Sequence, residues 1–256
     1  MKYFERDSKK VTRHTAVIAV WAAVVAAGHL LPTFPIWGTG GTFSVSSILN
    51  PLSGIFFGPL AGALSSAIGG FIGSMIAPHT AWMGPATFIV GTTTAFVTGC
   101  ISWGNWPPVA INKNGSFTFN GGIIVYIIGT ILWFTQEIGR NAFFFPVVFY
   151  GLGLIVMILG LIFAKKFFAS SKQRLKRTVQ TGFAIWLCAF AGLVGGASIG
   201  NFFGLVLFRL PVELWSVLMI TAPIERALFA LGAVFVGTPL MTGLRQIGIP
   251  IGPQAE

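Results

Sequence analysis

The sequence predicts an all-α integral membrane protein, a polytopic bundle of about eight transmembrane helices. Of its 256 residues, 54% are hydrophobic and 9% are charged, and the mean hydropathy is +0.82. Soluble domains carry roughly 25% charged residues, so this composition excludes a soluble protein. Apolar runs near the ~20 residues needed to cross a bilayer recur along the whole chain.

Eight spans follow from the positions of these runs, at 14–31, 44–57, 59–77, 84–103, 121–136, 142–164, 180–204 and 222–244. With a cytoplasmic N-terminus, thirteen of the sixteen Lys and Arg residues lie in cytoplasmic segments, as the positive-inside rule expects. This topology puts both termini in the cytoplasm. The chain is then a single transmembrane domain, 1–256, with a basic cytoplasmic linker at 165–179.

The composition and motifs also limit the function. The net charge of +10 is concentrated beside apolar spans, so it indicates topology and not a nucleic-acid partner. Cys100 and Cys188 lie in separate apolar spans without metal-ligand spacing, so no metal site is expected. The sequence has no GxxxxGK[ST] phosphate loop and no HExxH motif. We therefore expect neither an enzyme nor a bound cofactor, and any ATP-driven step needs a partner.

The first span, which contains "AVIAVWAAVVAAG", places Ala19, Ala23 and Ala27 at positions i, i+4 and i+8. Small residues at this spacing lie on one helix face and let a second helix approach closely. Membrane helices are also rich in alanine for general reasons, so the pattern alone is a weak signal.

The stretch "GIFFGPLAGALSSAIGGFIG" predicts a turn followed by a tightly packed helix. Gly58 and Pro59 break the chain between two spans, and proline suits the first turn of a helix. Beyond them a stripe of small residues favours close helix contact, either within the chain or with a partner. The stripe comprises Gly62, Ser66, Gly69 and Gly73.

The expected outer loops carry aromatic and polar side chains that suit a small planar ligand. "FPIWGTGGTFS" supplies Trp37 and Thr42, and "PHTAWMG" supplies Trp82. The alternative is an interfacial aromatic belt. In "TAPIERALFALG", Glu225 and Arg226 follow a proline at which we expect a helix to begin; one could face a cavity, and a structural ion pair is the alternative.

These pieces together resemble the substrate-binding S components of energy-coupling-factor (ECF) vitamin transporters. That family has an alanine-patterned first helix, a long first outer loop, a Gly-Pro turn after the second helix, a glycine-rich third helix and a polar or basic start to the last helix. The resemblance covers 14–104 well and 180–245 loosely. Since the family has six helices, the resemblance implies a six-helix core with an inserted helix pair at 121–164.

The resemblance implies a subunit of a prokaryotic cell (inner) membrane importer. It would capture a vitamin-like micronutrient from outside, in a pocket capped by the 32–43 loop. It would couple through Ala19, Ala23 and Ala27 to a transmembrane partner driven by two ATPases. Positions that match in placement give candidate substrate-binding residues: Trp37, Thr42, Trp82, Asn201, Glu225 and Arg226.

Two other functions remain open on the sequence. A stand-alone secondary transporter or channel would need inverted repeats, and no convincing pair is visible. A membrane enzyme or assembly factor for lipid-linked substrates would need clustered polar groups facing the bilayer, and none is evident. The ligand itself is open among flavin, thiamine-like and other heteroaromatic compounds.

Overall fold

A computed structural model describes residues 15–104, 120–169, 174–247 and 251–253, with the backbone alone at 165, 169 and 174–177. The basic N-terminal segment, residues 105–119 between the fourth and fifth predicted spans, and part of the 165–179 linker lie outside the described residues. The fold is 83% helical. Five of its segments are long and apolar enough to cross a membrane, and two more apolar helices are shorter. The chain is therefore an all-α polytopic membrane protein, as predicted.

Nine α-helices and one two-stranded ribbon make up the described chain. The helices are α1 Thr15–His29, α2 Ser46–Phe57, α3 Pro59–Ile76, α4 Phe88–Ser102, α5 Gly121–Thr135, α6 Glu137–Asn141, α7 Phe144–Ala169, α8 Arg174–Leu207 and α9 Val212–Gln246. The antiparallel strands are β1 Pro32–Pro35 and β2 Thr42–Ser44, and two 3-10 turns lie at Pro78–Thr80 and Gly84–Thr87. The sequence did not predict the ribbon.

Helix α8 forms the centre of the bundle. Within its membrane-length part, 83% of the residues are buried, far more than in the other long spans. Glycines let neighbours approach: a Cβ on Gly195 would lie 3.1 Å from Val97 of α4, and one on Gly192 would overlap Thr98. Close backbone approach of this kind is how membrane helices pack without a hydrophobic driving force.

The small-residue stripe of α3 packs inside the chain. A Cβ on Gly62 would lie 2.5 Å from the Ser53 carbonyl oxygen of α2, and one on Gly69 would overlap the Ala22 carbonyl of α1. Gly73 lies beneath the His29 ring. Close packing within the chain therefore accounts for this stripe without a partner.

The turn between α2 and α3 is also tightly packed. Gly58 has a φ of +85°, which only glycine adopts readily, and Pro59 follows as the first residue of α3. Pro59 lies against Gly99 of α4, where an added Cβ would approach to 2.5 Å. The Trp103 indole donates a hydrogen bond of 3.0 Å to the Ile55 carbonyl, which ties α4 to the end of α2.

Helices α8 and α9 are the ones that extend furthest beyond their predicted spans, 180–204 and 222–244. Helix α9 begins at Val212, so the expectation of a helix start at Pro223 is wrong; the apolar run before this proline continues the helix, and membrane helices tolerate internal proline. Glu225 and Arg226 consequently lie about 20 Å along the helix. Helix α2 has 12 residues, about 18 Å, and is almost entirely buried among its neighbours.

Contacts define two ends of the bundle. At the first, which we call the hairpin end, the β1–β2 ribbon packs on α9: Phe34 lies 5.6 Å from Phe229, ring centre to ring centre. At the opposite end, the Asn120 amide donates to the Cys100 carbonyl at 2.9 Å, and the Gly252 backbone N–H donates to the Phe56 carbonyl at 3.2 Å.

Candidate functional site

The β1–β2 ribbon forms a cover over the hairpin end. Its connecting loop is closed by the Ile36 N–H, which donates to the Gly41 carbonyl at 2.8 Å. Gly38, at φ +78°, lies against Leu210, just before α9, and against Leu214 in the first turn of α9. The loop glycines therefore let a short ribbon turn sharply and still rest on the helices below.

A cavity that is partly open to solvent lies beneath this cover; its empty volume of about 590 Å³ includes part of that open space. Its walls come from α1, the ribbon, α2, α3, the 78–87 turns, α4, α8 and α9. The lining residues are His29, Ile36, Phe43, Ser44, Ser46, Ser47, Asn50, Gly70, Thr80, Trp82, Thr87, Phe88, Val90, Gly91, Thr94, Leu193 and Arg226.

Hydrogen-bonded pairs hold the polar part of this wall in place. The Ser44 and Ser46 hydroxyls lie 2.6 Å apart, and the Ser66 hydroxyl donates to the Asn50 side-chain oxygen at 2.7 Å. His29 Nδ1 lies 3.2 Å from the Thr80 hydroxyl. Each pair joins two different elements, so these polar groups are held in position before any ligand binds.

Aromatic rings form the other part of the wall. Trp82 packs against Phe208, with ring centres 5.7 Å apart, and Phe88 packs edge-on against Phe71 at 5.8 Å. Phe43 is held by Phe229 at 5.4 Å. Flat apolar surfaces combined with a few oriented polar groups are typical of sites for small planar molecules.

Arg226 introduces a positive charge into this cavity. Its guanidinium carbon lies 4.7 Å from the centre of the Phe43 ring, in cation–π geometry. Its Nε is buried and has no hydrogen-bond partner among the described residues. A buried donor without a partner is energetically costly.

Comparison with known proteins decides the family. Residues 9–157, more than half of the chain, match the family model described as the ECF-type riboflavin transporter, S component. The chain belongs to this family. The family consists of transporter subunits and not enzymes, and the long apolar helices agree with a multi-pass membrane protein.

One curated relative gives no further function. It is an uncharacterized protein of Methanocaldococcus jannaschii, MJ0923, 23% identical over 204 residues, which are 79% of this chain and 62% of the relative. The chain thus spans less than two thirds of that relative's length. No solved structure matches this S component.

The structure brings two of the six predicted substrate-binding residues, Trp82 and Arg226, to the cavity of this S component. The other four are not among its lining residues. Thr42 donates to the His79 carbonyl at 3.4 Å and so ties the ribbon to the first 3-10 turn. The Asn201 amide donates to the Tyr150 hydroxyl at 3.3 Å and joins α8 to α7.

The remaining two predicted residues lie close to the site. Trp37 is in the ribbon loop with 52% of its surface exposed. Glu225 is partly buried on α9, one position before Arg226. Successive residues on a helix point about 100° apart, which explains why one of this pair faces the cavity and its neighbour does not.

Sequence reasoning missed the hydrogen-bonded polar residues of the wall, chiefly His29, Ser44, Ser46 and Asn50. Asn50 was the one with a usable signal, because a carboxamide inside an apolar span is expensive and commonly functional. The others acquire their positions through partners that only the fold identifies. Among the residues that the structure describes, no three His, Cys, Asp or Glu side chains could share a metal ion.

The alanine face of α1 points away from the bundle. Ala19, Ala23 and Ala27 are exposed, whereas Ala22, Val25 and Ala26 are buried on the other face. Since α3 packs against the buried face, the exposed alanines form a smooth stripe that is open to lipid or to a partner helix.

Proposed function

We propose that this S component captures a small heteroaromatic, vitamin-like nutrient for an ATP-driven importer. The observation that carries the proposal is the partly enclosed cavity beneath the ribbon, with aromatic walls and preset polar groups at one end of an apolar bundle. Trp82 would pack against the ring of the ligand, and Arg226 would orient it. Trp37, Thr42, Asn201 and Glu225 would act around the site, through the cover and the supporting helices.

The hairpin end would face outwards in the prokaryotic cell (inner) membrane. Basic residues in the sequence are concentrated at the other ends of the helices: Lys165 and Lys166 close α7, and Arg245 is in the last turn of α9. Of the Lys and Arg residues that the structure describes, Arg140, Arg209 and Arg226 alone belong to the hairpin half. By the positive-inside rule, both termini would then be cytoplasmic and the helices would make about eight crossings.

Energy would come from partners. The sequence contains no phosphate-binding loop, so a transmembrane coupling protein with ATPase subunits would supply the power stroke. The coupling surface would be the exposed stripe of Ala19, Ala23 and Ala27 on α1. Residues 14–104 and 180–245 would form the core of the subunit, with 121–164 as an added helix pair and 165–179 as a basic cytoplasmic linker.

Riboflavin is the first ligand to test, because the matching family model is described as a riboflavin transporter component. The test is to purify the protein in detergent, identify co-purifying small molecules by mass spectrometry and titrate riboflavin by the quenching of its fluorescence. We expect a bound heteroaromatic compound. Uptake in vesicles should require the co-purified coupling protein and ATPases. Uptake by the isolated protein alone would instead support a secondary transporter and overturn the proposal.

A further inference from the structure

We propose that the ligand of this cavity carries an anionic group, a carboxylate or a phosphate, which Arg226 binds. This inference rests on the proposed function and narrows its substrate class. It predicts the charge of the ligand, whereas the aromatic walls predict that the ligand has a planar ring system.

Arg226 lines the cavity, and its Nε atom is buried within the protein. The Phe43 ring lies against the guanidinium, 4.7 Å from its central carbon. The Nε–H has no partner among the described residues. The Nε–H and the adjacent Nη–H form a planar fork that matches the two oxygens of a carboxylate or phosphate.

The charges around the cavity favour the same ligand. Among the described lining residues, Arg226 carries the only permanent charge, and no Asp or Glu lines the wall. The nearest acidic residue along the helix, Glu225, is one position away and is not a lining residue. Glu225 interacts electrostatically with Arg226 from outside the cavity. Within the cavity itself no described acidic side chain opposes this cation, so an anionic ligand is favoured there.

The start of α2 adds to the positive electrostatic potential in the cavity. Ser46 and Ser47, its first two residues, line the cavity, and Val45 before them provides no side-chain cap. The backbone N–H groups of a helix N-terminus carry partial positive charge and favour an anion. Arg226 and the start of α2 therefore both place positive charge at this cavity. Both disfavour a cationic ligand such as a thiamine-like compound.

The experiment uses flavins that share one ring and differ in the charge of the side chain. Riboflavin and riboflavin 5′-phosphate form the phosphate arm; 10-carboxymethylflavin and its primary amide form the carboxylate arm. Each is titrated against the full-length protein in detergent by ring fluorescence. The proteins are wild type, Arg226→Gln, Arg226→Lys and Arg140→Gln, the last as a matched control because Arg140 is exposed and is not a lining residue.

We expect at least one anionic flavin to bind wild type roughly 10- to 100-fold more tightly than its neutral counterpart. Arg226→Gln should abolish that preference, Arg226→Lys should retain part of it, and Arg140→Gln should retain all of it. The arm that shows the preference identifies carboxylate or phosphate as the group. Thermal unfolding of each variant shows that the fold is intact.

Two results would overturn the inference, and they have different consequences for the proposed function. If flavins bind but neutral and anionic forms bind equally in wild type and in Arg226→Gln, the charge preference is refuted and the proposed capture function stands. If none of the four flavins binds and mass spectrometry finds no co-purifying anionic heteroaromatic compound, the inference and the proposed ligand class both fail.

Discussion

Trp82 and Trp37 both lie near the cover of the cavity, but their surroundings differ. Trp82 is a lining residue held against Phe208, whereas Trp37 is 52% exposed in the ribbon loop. We expect Trp82→Ala to weaken ligand binding by about 10- to 30-fold, because an aromatic wall that contacts a planar ligand is lost. Trp37→Ala should change affinity by less than about threefold. Titration of riboflavin, or of the co-purified ligand, into both variants measures the difference.

A larger loss for Trp37→Ala than for Trp82→Ala would contradict this placement of the binding wall. Circular dichroism and thermal unfolding serve as the control for both variants. Because Phe208 is the aromatic partner of Trp82, Phe208→Leu should give a smaller loss in the same direction.

The site residues that could be identified from the sequence are those that are unusual within their own short stretch of chain. Arg226 is a charge in an apolar stretch, and Trp82 is an aromatic residue in a short polar connection, so both were identifiable without a fold. His29 was not, because its partner Thr80 is 51 residues away. Asn50 carried a signal of its own as a carboxamide in an apolar span, but its partner Ser66, 16 residues away, is identified only by the fold. Which face of α9 meets the cavity also depends on the packing of the whole bundle, and this is why Glu225 and Arg226 could not be distinguished in advance.

Helix α1 presents two faces with different expected roles. Ala22 is buried against α3, whereas the next residue, Ala23, is exposed within the smooth alanine stripe. We expect Ala23→Leu to leave ligand affinity unchanged but to reduce transport at least tenfold, because a bulky side chain blocks close approach of a partner helix. Ala22→Leu should instead lower thermal stability through overpacking. Ligand titration, vesicle uptake with the coupling partners and thermal unfolding separate the two effects. Equal loss of binding and transport in Ala23→Leu would contradict the coupling surface.

Close packing between α1 and α3 depends on glycine. A Cβ on Gly69 would overlap the Ala22 carbonyl, whereas one on Gly151 of α7 would meet nothing within 4 Å. Gly69→Ala should therefore destabilise the protein by about 1–3 kcal/mol, and Gly151→Ala should be neutral or stabilising by up to about 1 kcal/mol. Denaturant or thermal unfolding in the same detergent gives the comparison. Similar stability of the two variants would show that the α1–α3 contact is looser than described.

Helix positions were more predictable than helix ends. Hydropathy located each apolar segment, because the bilayer requires long apolar runs with all backbone groups bonded. It missed the first ten residues of α9, which begins at Val212, since Pro223 looks like a start signal although it lies inside the helix. It also missed the β1–β2 ribbon, whose four- and three-residue strands are too short for a periodic pattern.

The bundle divides into a part that surrounds the cavity and a part that does not. Among the described residues, the cavity is lined by α1, the ribbon, α2, α3, the 78–87 turns, α4, α8 and α9. None of these lining residues comes from α5, α6 or α7. Helices α5 and α7 join α9 instead through an aromatic cluster, in which Trp133 lies 4.6 Å from Trp215 and 5.1 Å from Phe145. A ligand would therefore bring together elements of the first part and leave the second part as it is.

Hydrogen exchange measures this division directly. The 30–47 and 78–87 segments combine irregular backbone with cavity contacts, so ligand binding should slow exchange of their amides by about tenfold or more. The connection at 136–143, which contains the short helix α6, lies at the same end of the bundle but contributes no described lining residue, so its exchange should stay unchanged. At a ligand concentration of 100 times Kd, global stability should also rise by about 2.7 kcal/mol. Slowing of equal size in 136–143 would mean that the ligand acts on the whole bundle, and slowing in 136–143 alone would place the binding site among α5–α7 instead of beneath the ribbon.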